Sequence, residues 1–292
     1  MEEILLIIGV VGAGVMGMGV AQSFAQYGHQ VILVDISDEI LASAINEIYD
    51  NVRFHALFNK KFNKSVDEVL SLITTNTDYS ILGDADFIVE NVTEDWDVKK
   101  EVYVRLDQVS KTSCIFLANT SCISITKIAS LTDRADRVFG VHFMNPVPVK
   151  KTVEGIKGYY TSDETIEKTN KILASLDKEI IVVNDYPGFV SNRISHLLMN
   201  EAAYVVQDQV ANPKQVDDIF VKCYGHKMGP LATADLIGLD TVVKSLDILY
   251  ESYQDSKFRV CPLLRKMVDA GLHGRKSGHG FFEYVSEEVL VK

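Results

Sequence analysis

A histidine and a glutamate that lie twelve residues apart are the side chains of this sequence best suited to acid–base chemistry. His142 ends the apolar segment 138–142, and Glu154 follows a loop that contains Pro146 and Pro148. A strand–loop–strand return would bring the carboxylate beside the imidazole. Histidine titrates near neutral pH and can accept a hydroxyl proton, and a carboxylate orients the ring and stabilises its protonated form. The pair therefore predicts a general base for the oxidation of an alcohol.

A glycine-rich motif near the start of the chain has the spacing of a dinucleotide-binding turn. GAGVMG at residues 12–17 follows an apolar run and begins a helical pattern, and Asp35 ends the next apolar run, 23 residues after Gly12. Such glycines allow a tight turn and a close approach of backbone N–H groups to a pyrophosphate. A carboxylate at residue 35 accepts hydrogen bonds from a ribose 2′-hydroxyl and repels a 2′-phosphate. We predict NAD as cofactor, contacted by Gly12, Gly14, Val15, Met16, Gly17 and Asp35.

The elements that must position these residues alternate between strand and helix. Residues 4–11, 15–27 and 31–34 form a predicted strand–helix–strand unit, and residues 37–72 have a charged helical pattern. Short apolar runs then predict strands at 87–90, 115–118, 138–142, 152–154 and 179–183. This alternation is typical of an α/β fold with a Rossmann-type, doubly wound parallel sheet. Ligands of such sheets bind at the carboxyl ends of the strands, where His142 is predicted to lie.

The pattern changes near Pro187, after which helical segments alone are predicted. They cover residues 192–209, 213–223, 231–253 and 262–270. We therefore predict two domains. Residues 1–186 form a NAD-binding domain with a helical insertion near 38–75, and residues 187–292 form an all-helical domain.

Composition and charge exclude several classes of function. The net charge of −11, from 29 basic and 40 acidic residues, argues against a nucleic-acid or membrane-surface partner. Residues 4–34 carry no charged side chain, but repeated glycines break this stretch, so we predict no membrane span. The four cysteines form no CxxC pair, which predicts no metal site and suits a reduced, cytoplasmic protein.

Seven motifs follow one another along essentially the full length of the chain. They are the glycine loop, VENVTE at 89–94 with Lys99, NTS at 119–121, HFMNPVP at 142–148 with Glu154, PGFVSNR at 187–193, GP at 229–230 with DLIGLD at 235–240, and GRKSGHGF at 274–281. In these motifs and their order the chain resembles the L-3-hydroxyacyl-CoA dehydrogenases, including 3-hydroxybutyryl-CoA dehydrogenases.

The resemblance implies a role for each matching polar residue. His142 is the implied base and Glu154 its partner, while Ser121 and Asn192 hydrogen-bond the reacting oxygens. Thr120 and Ser124 lie close enough in sequence to leave the assignment of Ser121 open. The implied cofactor contacts, apart from the glycine loop, are Glu94 and Lys99 on the nicotinamide ribose, Asn119, and Asn145 at the nicotinamide pocket. The resemblance also implies a homodimer formed mainly by the helical domain.

Three departures from the family pattern concern the substrate. Lys150 precedes Lys151 where an apolar residue is usual, Gly155 follows the acid, and residues 51–64 turn basic at their end. These features, together with Met144 and NEAAY at residues 200–204, resemble a branch that oxidises a glyceryl group on an acyl carrier protein, toward hydroxymalonyl or methoxymalonyl polyketide extender units. An acidic carrier protein would need a basic patch, for which the candidates are Lys60, Lys61, Lys64, Lys150 and Lys151.

Alternatives to the carrier-protein hypothesis remain open at this stage. The first is a 3-hydroxybutyryl-CoA or other 3-hydroxyacyl-CoA dehydrogenase of fatty acid or butanoate metabolism, in which the acyl thioester is held on CoA. The second is a β-hydroxyacid dehydrogenase, which shares the glycine loop but uses a lysine base. The third is a non-enzymatic protein that has kept only NAD binding.

Overall fold

The computed structural model describes residues 6–58 and 64–284. The chain divides into two compact units after Tyr186. The first unit is a sheet flanked by helices, and the second is helical. Among the described helices, none is both long and apolar enough to cross a membrane.

The described part of the first unit contains one sheet of eight strands in the order β3-β2-β1-β4-β5-β6-β7-β8. Neighbouring strands are parallel except β6 and β7, which are antiparallel. β4, β5 and β6 are buried along their whole length, as their apolar sequences require. The strands are β1 (Ile7–Val11), β2 (Gln30–Val34), β3 (Ile73–Asn76), β4 (Phe87–Glu90), β5 (Ile115–Ala118), β6 (Val138–His142), β7 (Thr152–Lys157) and β8 (Glu179–Asn184).

Helices connect the parallel strands and cover the sheet. They are α1 (Val15–Gln26), α2 (Asp38–Phe58), α3 (Val66–Leu70), α4 (Trp96–Val109), α5 (Ile125–Ala129) and α6 (Asp163–Ser175). One buried cluster joins side chains of α1 and α2 to the central strands. The predicted Rossmann-type α/β fold is confirmed. The sequence missed β3, whose short segment ITTN lies at the edge of the sheet and is only partly buried.

The second unit contains α7 (Ser191–Gln207), α8 (Pro213–Tyr224), α9 (Pro230–Ile237), α10 (Leu239–Tyr253) and α11 (Pro262–Asp269). The prediction of one helix over 231–253 was wrong, because Gly238 interrupts it. Gly238 has a φ of +104°, which a residue inside a right-handed helix does not adopt. Over residues 187–284, which the structure describes in this unit, the regular elements are otherwise helical, as predicted.

Candidate active site

The antiparallel pair β6 and β7 brings the predicted base and acid together. Their register places His142 directly opposite Glu154, and such pairs share one face of a sheet. His142 Nδ1 lies 3.1 Å from Glu154 Oε2. Only 8% of His142 and 9% of Glu154 are exposed, so the contact is largely shielded from water. When the carboxylate accepts the Nδ1 proton, Nε2 remains as the nitrogen that can accept a proton from a hydroxyl group.

Ser121, in the loop after β5, lies on the other side of the imidazole. Its Oγ is 3.3 Å from His142 Nε2. The two hydroxyls that the sequence left as alternatives are bonded elsewhere, because Thr120 Oγ1 donates to Glu94 and Ser124 Oγ donates to a different carboxylate. Ser121 is therefore the hydroxyl of the three that faces the base.

Glu94 fixes the loop that carries Ser121. Its Oε1 accepts hydrogen bonds from Thr120 Oγ1 at 2.5 Å, from the Ser121 backbone N–H at 3.0 Å and from the Cys122 backbone N–H at 2.9 Å. These bonds tie the end of β4 to the end of β5 at the carboxyl edge. The contact of Glu94 with the nicotinamide ribose stays a prediction.

Lys99 is fully buried, and its ammonium donates to both carboxylate oxygens of Glu90, at 2.8 and 2.9 Å. Glu94 Oε2 lies 3.7 Å from the same ammonium. Burial raises the pKa of the Glu90 carboxyl, while Lys99 acts in the opposite direction. The resemblance implied a direct contact between Lys99 and the cofactor. The observed geometry instead supports a structural role, in which Lys99 holds the two glutamates, and the cofactor contact stays a prediction.

Asn119 links two of the strand ends. Its side-chain N–H group donates to Asn91 Oδ1 at 2.7 Å, and its Oδ1 accepts from the Phe143 backbone N–H at 3.2 Å. The second bond fixes the residue that directly follows His142. Asn145 is exposed in the loop between β6 and β7, and its place in a nicotinamide pocket stays a prediction.

Each glycine of the glycine loop is required for a different physical reason. Gly12 has a φ of +91°, and a Cβ atom there would lie 2.8 Å from the Asn91 backbone. A Cβ at Gly17 would lie 1.7 Å from the Gly12 carbonyl oxygen, so the helix packs against the turn. At Gly14 no described atom lies within 4 Å of that position. The space above Gly14, at the first turn of α1, therefore fits a pyrophosphate group.

The predicted ribose acid also organises this loop. Asp35 Oδ2 accepts a hydrogen bond from the Ala13 backbone N–H at 2.6 Å, and Oδ1 accepts from the Ile36 N–H at 2.7 Å. Each carboxylate oxygen can accept a second bond, which leaves capacity for ribose hydroxyls. Val15, which begins α1, is exposed beside the turn, and Met16 is partly buried.

Comparison with known proteins decides the family. The model of the 3-hydroxyacyl-CoA dehydrogenase NAD-binding domain matches residues 7–186, and the model of the C-terminal domain matches residues 188–284. The chain belongs to the 3-hydroxyacyl-CoA dehydrogenase family. Members of this family are NAD-dependent oxidoreductases that act on a CH–OH group. The predicted family, enzyme class and NAD cofactor are confirmed.

Relatives match along most of their length. The probable 3-hydroxybutyryl-CoA dehydrogenase of Bacillus subtilis is 40% identical, over 94% of this chain and 96% of the relative. The human mitochondrial hydroxyacyl-coenzyme A dehydrogenase is 37% identical, over 94% of this chain and 90% of the relative. The crystal structure of (S)-3-hydroxybutyryl-CoA dehydrogenase from Ralstonia eutropha has a TM-score of 0.92 at 39% identity, and the match covers 97% of this chain and 100% of that one. Each is named for a CoA thioester, which favours the CoA alternative over the carrier-protein hypothesis.

One departure from the pattern of the 3-hydroxyacyl-CoA dehydrogenases has a packing explanation. A Cβ atom at Gly155 would lie 2.6 Å from Ile180 Cδ1 and 2.8 Å from Phe139 Cζ. The glycine therefore lets β6, β7 and β8 pack closely. Neighbours in the sheet thus account for the glycine, and its link to substrate choice stays a prediction.

The five lysines of the candidate basic patch differ in what the structure shows of them. Lys60 and Lys61 lie outside the described residues. Lys64 and Lys150 are exposed, whereas Lys151 Nζ lies 3.1 Å from Asp177 Oδ2, which neutralises part of its charge.

Asn192 belongs to the second unit, in the first turn of α7. Its backbone carbonyl oxygen lies 2.9 Å from His196 Nδ1. Its hydrogen bond to a reacting oxygen stays a prediction.

Sequence reasoning missed three residues that shape the site, namely Glu90, Asn91 and Lys178. Glu90 and Asn91 stood inside a recognised motif, but their partners lie on other strands or helices. Lys178 had no signal, since it follows α6 as one lysine among many.

Proposed function

We propose that this chain oxidises the 3-hydroxyl group of a short 3-hydroxyacyl-CoA, with 3-hydroxybutyryl-CoA as the first candidate. The observation that carries the proposal is the imidazole of His142, held by Glu154 on one nitrogen and facing Ser121 with the other, in a NAD-binding domain. This is the arrangement that removal of a hydroxyl proton requires.

The reaction divides between the protein and its cofactor. His142 Nε2 accepts the proton of the substrate hydroxyl, and Glu154 stabilises the resulting imidazolium. Ser121 hydrogen-bonds the reacting oxygen and holds it beside Nε2. The C3 carbon loses its hydrogen with both electrons, and its oxygen becomes a carbonyl oxygen. NAD, when bound at the glycine loop, supplies the hydride acceptor.

The choice of CoA over a carrier protein rests on two observations. The relatives reported above are named for CoA thioesters. Gly155, one of the features that suggested a carrier protein, is explained by packing between strands. The S configuration at C3 is the one named for the relative from Ralstonia eutropha, and we propose it here.

The oligomeric state of the protein is a further part of the proposal. We propose that residues 187–292 form the interface of a homodimer and contribute, with Asn192, to the substrate cleft. Support comes from large apolar side chains that this unit leaves exposed, among them Ile194, Tyr224 and Leu236. The cytoplasmic location stays a prediction.

The decisive experiment compares the same acyl group on two carriers. The rate of NADH formation is measured with (S)-3-hydroxybutyryl-CoA and with the same acyl group on an acyl carrier protein, as kcat/KM. We expect turnover with a clear CoA preference. A preference for the carrier protein would revive the polyketide hypothesis, and tight NAD binding without turnover of either substrate, or of a glyceryl group on the carrier protein, would favour a non-enzymatic role.

A further inference from the structure

The loop between the proposed base and its acid, here called the catalytic loop, comprises residues 143–151. It begins directly after His142 and leads into β7, which carries Glu154. Inside the loop, the backbone N–H groups of Val149 and Lys150 both donate to the Pro146 carbonyl oxygen, at 3.1 Å. These local bonds shape one turn but do not attach the loop to the rest of the unit.

The two ends of the loop are attached by the Phe143 backbone N–H, which donates to Asn119 Oδ1, and by the Lys151 carbonyl oxygen, which accepts from the Glu179 backbone N–H. A buried lysine attaches the middle of the loop. Lys178 Nζ donates to the Val147 carbonyl oxygen and to the Lys150 carbonyl oxygen, each at 2.7 Å. The residue is 6% exposed, and among the described residues no carboxylate lies within ion-pair distance of its ammonium. A buried cation is costly unless polar groups surround it, so the two carbonyl dipoles are its main compensation.

The opposite side of the catalytic loop rests on the cofactor helix. A Cβ atom at Gly19, in α1, would lie 3.1 Å from Val147 Cβ and 3.5 Å from Pro148 Cδ. α1 is the helix that begins at the glycine loop. The loop is thus held between the ammonium of Lys178 and the helix that would carry the pyrophosphate.

We propose that Lys178 is a positioning residue, whose ammonium fixes the Val147 and Lys150 carbonyls and so sets the catalytic loop against α1. The proposal rests on the proposed function, because the loop connects the base to its acid. Its consequence is geometric. If the loop shifts, the substrate hydroxyl, His142 Nε2 and the hydride acceptor no longer align, and small misplacements lower a rate steeply.

The charge of Lys178 predicts a pH dependence of kcat that a purely structural role of the side chain would not produce. Burial lowers the pKa of Lys178 to about 8, and the carboxylate of Asp177 acts in the opposite direction. Asp177 also pairs with Lys151, and it adds to the burial that raises the pKa of Tyr27. As the pH rises through about 8, the ammonium becomes an amine and its hydrogen bonds to the two carbonyls weaken.

The test compares wild-type protein with Lys178→Met, which keeps the length of the side chain but has no donor. We expect kcat for (S)-3-hydroxybutyryl-CoA to fall on the order of 10-fold to 100-fold, with only a small change in KM for the thioester. The ratio of wild-type to variant kcat should be largest below the lysine pKa and should shrink above it. Lys171→Met, an exposed lysine of α6 paired with Glu167, is the matched control and should keep wild-type kcat.

A second readout does not depend on turnover. Trp96 is the single tryptophan and lies in the NAD-binding unit, so energy transfer from it reports NADH binding. We expect Lys178→Met to weaken NADH binding. Lys178→Arg keeps the positive charge and can donate to both carbonyls, so it should retain part of the NADH affinity. If Lys178→Met does not fold, Lys178→Gln replaces it in the same comparison.

Two results would overturn the proposal. One is wild-type kcat and NADH affinity in Lys178→Met. The other is a loss of kcat that is the same at every pH and matches the loss of folded protein. Failure of the proposed function is separate, because a wild-type protein that turns over no thioester can still show the change in NADH affinity.

Discussion

Two buried histidines of the NAD-binding unit contact a serine, and the comparison shows what makes one of them a base. His142 Nε2 lies 3.3 Å from Ser121 Oγ, and His29 Nε2 lies 3.1 Å from Ser175 Oγ. Their exposed fractions are almost equal, 8% and 7%. A contact between a buried histidine and a serine therefore does not by itself define an active site.

The two pairs differ first in their place in the sheet. His142 is the last residue of β6 and lies at the carboxyl edge, with the glycine loop and Ser121. His29 precedes β2 and lies at the amino edge, where its ring and the Phe24 ring pack edge to face. Ligands of open α/β sheets bind at the carboxyl edge.

The two pairs differ also in the direction of their hydrogen bonds. Ser175 Oγ donates its single proton to the Ile172 carbonyl oxygen, so His29 Nε2 must be the donor in its contact with Ser175. His142 Nδ1–H donates a hydrogen bond to the Glu154 carboxylate, which leaves Nε2 as an acceptor. A protonated Nε2 cannot take a substrate proton, whereas a bare one can. The carboxylate thus decides the function of the ring.

The largest expected effect tests the two rings directly. His142→Gln should lower kcat for (S)-3-hydroxybutyryl-CoA by about 10²–10⁴, the usual contribution of a general base. His29→Gln, which removes an equally buried imidazole, should leave kcat within a few-fold of wild type. Both are measured as NADH formation with saturating NAD.

A loss of only a few-fold in His142→Gln would reject the assignment of the base. It would reopen the β-hydroxyacid dehydrogenase hypothesis, in which a lysine takes the proton. Lys99, whose ammonium lies beside Glu90 and Glu94 after β4, is fully buried and bonded to Glu90, which argues against that role.

The sequence predicts those parts of the fold that local patterns specify. The strands β4, β5 and β6 have the predicted bounds because each is a short apolar run buried on both faces. β3 escaped prediction because its stability comes from pairing with β2 and not from its own composition. The break at Gly238 escaped because an isolated glycine inside a helical pattern does not always end a helix.

The same division applies to the site. The contact of His142 with Glu154 could be anticipated, because a short proline-containing loop joins two strands that return on each other. The contacts of Lys178 could not, since they join residues 31 and 28 positions apart in sequence, in segments without a shared pattern. The same holds for Asn119 with Asn91, whose partners are known only after the strand order is known.

The intermediate effect concerns the carboxylate that distinguishes the two rings. Glu154→Gln should lower kcat roughly 10²-fold, since the amide cannot stabilise the imidazolium and can bond either tautomer. Glu167→Gln, an exposed acid paired with Lys171, is the control and should keep wild-type kcat. If Glu154→Gln retained full kcat, the tautomer argument would lose its basis, and the two histidines would differ only in their place in the sheet.

The smallest expected effect separates the two serines. Ser121→Ala should lower kcat/KM about 10-fold, because one hydrogen bond to the reacting oxygen contributes about 1.4 kcal/mol at most when its partner is still neutral. Ser175→Ala should leave kcat/KM unchanged and lower the free energy of unfolding by about 1 kcal/mol, through the bonds to His29 and Ile172. Kinetics with varied thioester and thermal unfolding measure the two quantities. Equal kinetic losses in both variants would mean that the hydroxyl beside His142 supports the fold and does not contact the substrate.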